Sequence, residues 1–559
     1  MESDSHREFD YVVVGAGAAA TGFVYGILER YSSIGCTELP FSIVVIERGG
    51  EDHDQRTLIP NKWHDASNTA STSASLLQAT IGSRCIDVPI GKGLGGTTNV
   101  NACLVAPPSS DDFQSWPDPW KGSMMQSIHA IQDALLKYGT VHQFKTAIKP
   151  MLKIDTAYRS EGFWREIIFP SFVTCIPMAV EQNGKGAYKR INYYDGLVAP
   201  ALKENPQLAK SITWYRHTEV QRLIFDGRVV KGVECESASG DRFQVHARIE
   251  VILSAGALES PVLLLASGIG LEEDLKDADI PSLGLDLPVG RNLRDHTLVP
   301  RLFIHPFTSY ALSPTTVQAF YNMKDGENRF QVMLTGAASY PAVVAQGVSS
   351  IFRRRVDFSP RWLSRTINVV LYVIFRLTRV IVRCAIVYSP AFYFLRYFCF
   401  VAIIALLNPK SNGRLNVTRR NVSSKVCRRK DLDVDVRGVY LTDGTDVDAY
   451  RSAWPCIGQM CSGWFKQGFE LGPGTPCQIS RRDAFSLYVH ELCQPYYHWC
   501  GTCAISSVVD DSLRVVRVGG LRVCDASVLP VPPSAPTALT CAGLGYGLSM
   551  MIHESKEND

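Results

Sequence analysis

Two turns of small residues and an acid set the first chemistry in this chain. Gly15, Gly17 and Ala20 stand in the spacing G-x-G-x-x-A, after the apolar run Tyr11–Val14 and at the head of a small-residue stretch through Ala18. Gly15 permits a tight turn, Gly17 lets backbone approach a pyrophosphate, and Ala20 lets a helix pack close to the strand. The free N–H groups at that helix start offer partial positive charge to phosphate oxygens. A second apolar run, Phe41 to Ile46, ends at Glu47, where an acid can accept ribose hydroxyls. Strand, turn, helix, strand and acid together predict a dinucleotide site on a βαβ unit.

A second turn is denser in glycine: Gly91, Gly93, Gly95 and Gly96, followed by Thr97, Thr98, Asn99 and Asn101. Its backbone can lie against a flat or phosphorylated ligand. A third small-residue turn, Ser254-Ala255-Gly256-Ala257, opens a helix with Pro261 in its first turn and a glycine stop at Gly268. Near the C-terminus stands Tyr497-His498-Trp499-Cys500-Gly501-Thr502-Cys503. The C-x-x-C spacing there lacks the preceding strand and opening helix of a dithiol redox motif, and a strand-like segment, Ala504 to Val509, follows it.

The elements that must hold these residues are a parallel sheet and its helices. Beyond the first βαβ unit, strands are predicted at Ile212–Tyr215, Val220–Phe225, Val229–Cys235 and Ile249–Leu253, with a turn at Asp226-Gly227. Ile128–Tyr138 is the clearest helix of the next region. Residues 50 to 90 read as polar loops with short elements, and residues 416 to 490 as β-rich with loops. The chain has 559 residues, 46% of them apolar, and a net charge of +3. That composition is ordinarily globular and gives no reason to expect nucleic acid. The sixteen cysteines are scattered, and no secretory apolar stretch precedes the first strand, so reduced thiols in a cytoplasmic setting are expected. The end Ser555–Asp559 carries no peroxisomal tripeptide. No metal centre is expected.

The Gly91–Asn101 and Gly256–Gly270 blocks resemble the two signature motifs of the glucose–methanol–choline (GMC) flavoprotein oxidoreductases. The segment Leu287-Pro288-Val289-Gly290-Arg291-Asn292-Leu293-Arg294-Asp295-His296 and the C-terminal run from Tyr497 to Ser527 are also similar to that family. The resemblance implies an α/β fold: a Rossmann-like FAD-binding domain from residues 1–110, 206–300 and 490–559. A substrate-binding domain around an antiparallel sheet takes 111–205 and 301–489. It implies FAD, held by Gly15, Gly17, Ala18, Ala20 and Glu47, by Gly95, Gly96, Thr98 and Asn101 of the glycine turn, by Val220 at the adenine, and by Asp525 and Ala526. Some members link FAD covalently through a histidine where Val100 stands here, so non-covalent FAD is expected.

The resemblance also assigns His498 as the catalytic base, a residue type suited to taking a hydroxyl proton near neutral pH. The family places a second His or Asn after the Asp525-Ala526-Ser527 block. Here Leu529 to Thr537 contains neither, and Ser534 aligns with that position; a serine can hydrogen-bond a substrate oxygen but is a poorer base. The expected reaction is oxidation of the CH–OH group of a small hydrophobic or long-chain alcohol. Fatty-acid photodecarboxylation and cyanohydrin cleavage occur in the same family and stand as alternatives, as does a non-catalytic, membrane-associated flavoprotein.

Residues 350–408 are unlike the rest. Ile367 to Leu407 is apolar and aromatic, with Arg376, Arg379 and Arg383 spaced to share one helix face. No uncharged run reaches the ~18 residues of a spanning helix, and Pro390 would interrupt the segment. A basic, apolar helix pair lying at a membrane surface is the expectation. A buried hairpin on the substrate domain and a charge-interrupted span are the alternatives. The sequence is silent on oligomeric state.

Overall fold

The computed structural model describes residues 7–50, 77–81, 84–139, 141–145, 175–182, 188–304, 319–336, 361–388, 399–420, 426–464, 469–471 and 482–557. Its first layer is a sheet whose parallel strands run in the order Ile212–Tyr215, Ile43–Ile46, Glu8–Val14, Arg242–Leu253 and Leu521–Val523. Val12, Val13, Ile43, Val44, Val45 and Val251 are fully buried, as expected of strands covered on both faces. The Arg242–Leu253 strand is long enough to serve two partners on one edge. Its first half pairs antiparallel with Val229–Ser237, which pairs in turn with Thr218–Asp226; its last three residues pair with Leu521–Val523. All four strands expected between 212 and 253 are present.

Two helices close one face of this sheet at backbone distance. A Cβ on Gly22, in the helix Ala18–Ser33, would stand 1.9 Å from the Ala542 carbonyl oxygen, and one on Gly545 would stand 1.9 Å from that of Ala19. The C-terminal helix Thr537–Glu557 therefore lies against the nucleotide-binding helix at glycine contacts, with Tyr546 stacked on Tyr25 and bonded to Glu29 beside them. The helix Trp120–Lys137 begins eight residues earlier than the clearest periodicity indicated and packs on the same C-terminal helix, with Ile128 against Gly543 and Trp120 against Gly547.

The second layer is an antiparallel sheet in the order Ala319–Asp325, Asn328–Gly336, Cys399–Leu406, Thr297–Ile304 and Phe469–Leu471. The central strand corrects the expected helix pair. Among the described residues of the apolar insertion, Arg361–Tyr388 is a helix, whereas Cys399–Leu406 is a strand with Ala402, Ile404 and Ala405 fully buried. A run buried on both faces shows no alternation, so its period cannot separate helix from strand, and its β-branched residues Val401, Ile403 and Ile404 favour the sheet. Residues 416–490 also depart from the β-rich expectation: Gly444–Trp464 and Arg482–Leu492 are helices. The break at Pro390 and the lead-in Arg353–Arg355 lie outside the described residues.

Candidate active site

The first strand, the glycine turns and the two sheets enclose one elongated cavity of ≈ 350 Å³. Gly15, Gly17, Ala18, Glu47, Gly96, Thr98, Asn101, Val220, Asp525, Ala526 and His498 all line it. Residues more than 500 positions apart in sequence thus meet along one channel. Ala20 and Gly95 support it from behind. Ala20 is buried within its helix, and Gly95 turns at φ +95° with its N–H donated to the Ala16 carbonyl at 2.8 Å. That bond presses the two glycine turns together: a Cβ on Gly96 would stand 2.7 Å from the Gly17 Cα.

The acids of the nucleotide end organise backbone first. Glu47 accepts from Ala16 N through Oε2 and from Gly49 N and Gly93 N through Oε1, using three of a carboxylate's roughly four acceptor sites. The remaining capacity on Oε2 suits a hydroxyl donor. Asp525 accepts from Gly256 N, Ser260 Oγ and Ser527 N, so it clamps the third small-residue turn to the last block. Burial raises its carboxyl above the ordinary range, against the pull of these donors. Arg48 and Arg429 flank the buried Glu259 at 3.2 and 2.5 Å. Burial pushes that carboxyl up, but the two guanidinium groups prevail and hold it at about 2.

This end fits FAD. Gly256 has φ +92° and empty space where a side chain would project, so the wall stays flat beside the two glycine turns. Val100 lines the channel and carries no nucleophile for a covalent link.

At the other end, the segment Tyr496–Trp499 is held by one carboxylate. Asp295 Oδ1 accepts from His498 N at 2.8 Å; Oδ2 accepts from Tyr496 N, Tyr497 N, Trp499 Nε1 and Tyr440 Oη at 2.7–3.1 Å. These bonds hold Tyr497 at φ +64°, a conformation costly for a bulky residue. Burial raises Asp295 to about 6, with Tyr440 and the backbone donors acting against it. The neighbouring chain runs alongside: Arg294 and Cys500 exchange both backbone hydrogen bonds at 3.0 Å.

That pairing brings His296 to His498, with Nδ1 to Nδ1 at 3.0 Å. Tyr496 stacks on the His498 ring at 4.0 Å. Burial depresses His498 to about 3. Burial, His498 and Arg329 hold His296 well below the ordinary histidine range, although the Leu407 and Pro533 carbonyls favour a proton on its ring. Both rings are therefore neutral at physiological pH, so one Nδ1 donates and the other accepts. With Nδ1 engaged, Nε2 is the His498 nitrogen left to the cavity.

Ser534 is not brought to this site. Its Oγ donates to Asp112 Oδ2 at 2.5 Å and accepts from Ser109 N at 2.9 Å, so it ties two loops together outside the cavity lining. His296 and Asp295, absent from the sequence-based candidates, take the place beside His498; the signal was the Asp-His pair ending the LPVGRNLRDH segment. Cys500 and Cys503 are buried thiols raised by burial, inert by that measure.

Residues 9–298 and 409–545 match the family profiles described as GMC oxidoreductase. The chain belongs to the GMC oxidoreductase family. It is an enzyme of that family, whose members bind FAD. The GMC chain is 25% identical to a sinalpyl alcohol oxidase of Nesocodon mauritianus, across 98% of this chain and 89% of that one. It is also 25% identical to an oxygen-dependent choline dehydrogenase of Cronobacter sakazakii, across 94% and 91%. A solved fungal aryl-alcohol oxidase shares the fold with a TM-score of 0.66 and 19% identity, across 99% and 100% of the two chains.

Proposed function

We propose that this GMC oxidoreductase oxidises a neutral, hydrophobic alcohol, with His498 as the base and His296 as the residue that sets its tautomer. The observation that carries this reading is the His296–His498 contact at 3.0 Å beside an apolar wall. Leu104, Leu298, Met333, Val401, Ile403 and Tyr496 line that end of the cavity. FAD, when bound, supplies the hydride acceptor.

The chain's own residues do the rest. His498 donates Nδ1–H to His296 Nδ1, which leaves a lone pair on His498 Nε2 for the substrate hydroxyl proton. Asp295 fixes the backbone that carries the ring. Tyr496 covers the ring's face and donates its own hydroxyl to Gln331 Oε1 at 2.6 Å, so the wall presents ring rather than hydroxyl. Apolar side chains exclude water from the reacting hydroxyl. FAD is held non-covalently on this reading, because valine occupies position 100.

The charges of the cavity favour a neutral substrate. Its lining acids are Glu47, Glu219, Glu259 and Asp525, and its lining arginines are Arg48 and Arg429. All belong to the nucleotide end. Among the described residues that line the substrate end there is no carboxylate for a quaternary ammonium and no cation for a fatty-acid carboxylate. The test is anaerobic titration of the purified protein with a neutral aryl or long-chain alcohol, with choline, and with a fatty acid under illumination. Bleaching of the flavin spectrum by the neutral alcohol alone supports the reading. Bleaching by choline, or alkane formation from the acid, overturns it.

A further inference from the structure

The helix Arg361–Tyr388 leaves an apolar face in solvent. Val369, Val370, Val373, Ile374, Leu377, Val380 and Ile381 are 40–64% exposed. At ~100° per residue they form one continuous stripe along the helix. Positions 361, 365, 376, 379 and 383, all arginine, fall by the same spacing on a second stripe that borders it. The helix contains no acidic residue, and none occurs anywhere between 358 and 430. No helix among the described residues is long and apolar enough to cross a membrane.

We infer that this helix is a docking surface for an anionic lipid bilayer, on which it lies in the interfacial plane. Such a surface accepts both stripes at once: the apolar residues enter the acyl boundary, and the flanking arginines meet lipid phosphates. A second copy of the chain is a poorer occupant. Two such helices face to face would bring ten arginines into one interface with no acid on either helix to neutralise them. An acidic protein partner would answer the arginines but not the length of the aliphatic stripe, which carries no aromatic or polar residue among its seven exposed positions.

The topology connects this surface to the cavity. The strands Asn328–Gly336 and Cys399–Leu406 are paired neighbours, with Met333 opposite Ile403 and Gly336 opposite Phe400. The helix lies in the connection between them. Met333, Val401 and Ile403 line the cavity, so in chain order the helix stands between two strands that line the substrate site.

The experiment is flotation of the purified holoenzyme with phosphatidylcholine vesicles, with and without phosphatidylserine. The wild-type protein is expected to float with the anionic vesicles. The variant L377D/I381D should lose most of that binding. The variant R376Q/R379Q/R383Q should bind about a hundredfold more weakly, at about fivefold per arginine. Both should keep their helical circular dichroism, flavin content and turnover of a water-soluble alcohol. A well-folded wild type that floats with neither vesicle overturns the inference. So does a wild-type dimer in sedimentation that L377D/I381D converts to monomer, since the face would then be a self-interface.

Discussion

Removal of the His296 ring tests the assignment of the base most directly. In His296→Ala, His498 loses the acceptor 3.0 Å from its Nδ1, and no other described hydrogen bond reaches that ring. An Nδ1–H left without a partner in a buried place costs about 1–3 kcal/mol. The ring therefore moves toward the other tautomer, with the proton on Nε2 facing the substrate, where it cannot act as a base. At about 1.4 kcal/mol per factor of ten, the fraction of His498 in the competent tautomer falls about 5- to 150-fold. The rate of anaerobic flavin reduction by a neutral alcohol should fall by that factor, with flavin content unchanged. His296→Asn returns a carbonyl acceptor near the lost nitrogen and should recover part of the rate. Reduction by His296→Ala at the wild-type rate would refute the tautomer argument, as would an asparagine variant no better than alanine.

The nucleotide end gives further expectations. Arg429→Ala leaves Glu259 buried with Arg48 as its remaining ion-pair partner, and should destabilise the fold by about 3–5 kcal/mol in urea unfolding at neutral pH. Because Glu259 is held at about 2, below its unfolded value of 4.5, its contribution is present above pH 4.5 and lost as pH falls toward 2. The gap between wild type and variant should therefore narrow over that window. Gly96→Ala sets a methyl group 2.7 Å from the Gly17 Cα at a position with φ +55°, so the two glycine turns must separate; the measurable result is protein purified with less bound flavin. Ser534→Ala removes a loop tie rather than a catalytic group. It should lower stability by about 1–2 kcal/mol and leave flavin reduction at the wild-type rate; a large loss of rate would restore Ser534 to the active site.

The nucleotide half was legible because its geometry is local. Gly15, Gly17 and Glu47 lie on one βαβ unit, where fixed spacings correspond to fixed positions. The catalytic end was legible only in part. His498 could be assigned by resemblance, but its partner was sought after the Asp525 block. The fold instead brings His296 to it from 202 residues upstream, through the backbone pairing of Arg294 with Cys500, and the proposed reading makes that ring the partner. Nothing in the spacing of either segment announces that bridge. Ser534 shows the converse: a residue placed by alignment, whose hydroxyl the structure commits to Asp112. The insertion failed for a third reason. Cys399–Leu406 is apolar at every position, and a run buried on both faces, as Val401, Ala402, Ile404, Ala405 and Leu406 are, carries no period to read.

The depressed basicity of His498 sets a limit on how it can work as the proposed base. A ring held at about 3 instead of 6.5 binds a proton far less well than a free imidazole. It cannot store the substrate proton ahead of the reaction. It can take that proton only as hydride leaves the carbon, when the developing carbonyl no longer needs it and His296 can share the imidazolium charge through Nδ1. The ring must also be neutral to act. With its folded value near 3, that condition holds across the whole range where the protein would be assayed. The prediction is a kcat/KM for a non-ionising alcohol with no limb near the ordinary histidine value: flat from about pH 5 to 8 in the wild type. A fall in kcat/KM centred near pH 6.5 would show a solvated His498, and with it an open site in place of the buried histidine pair.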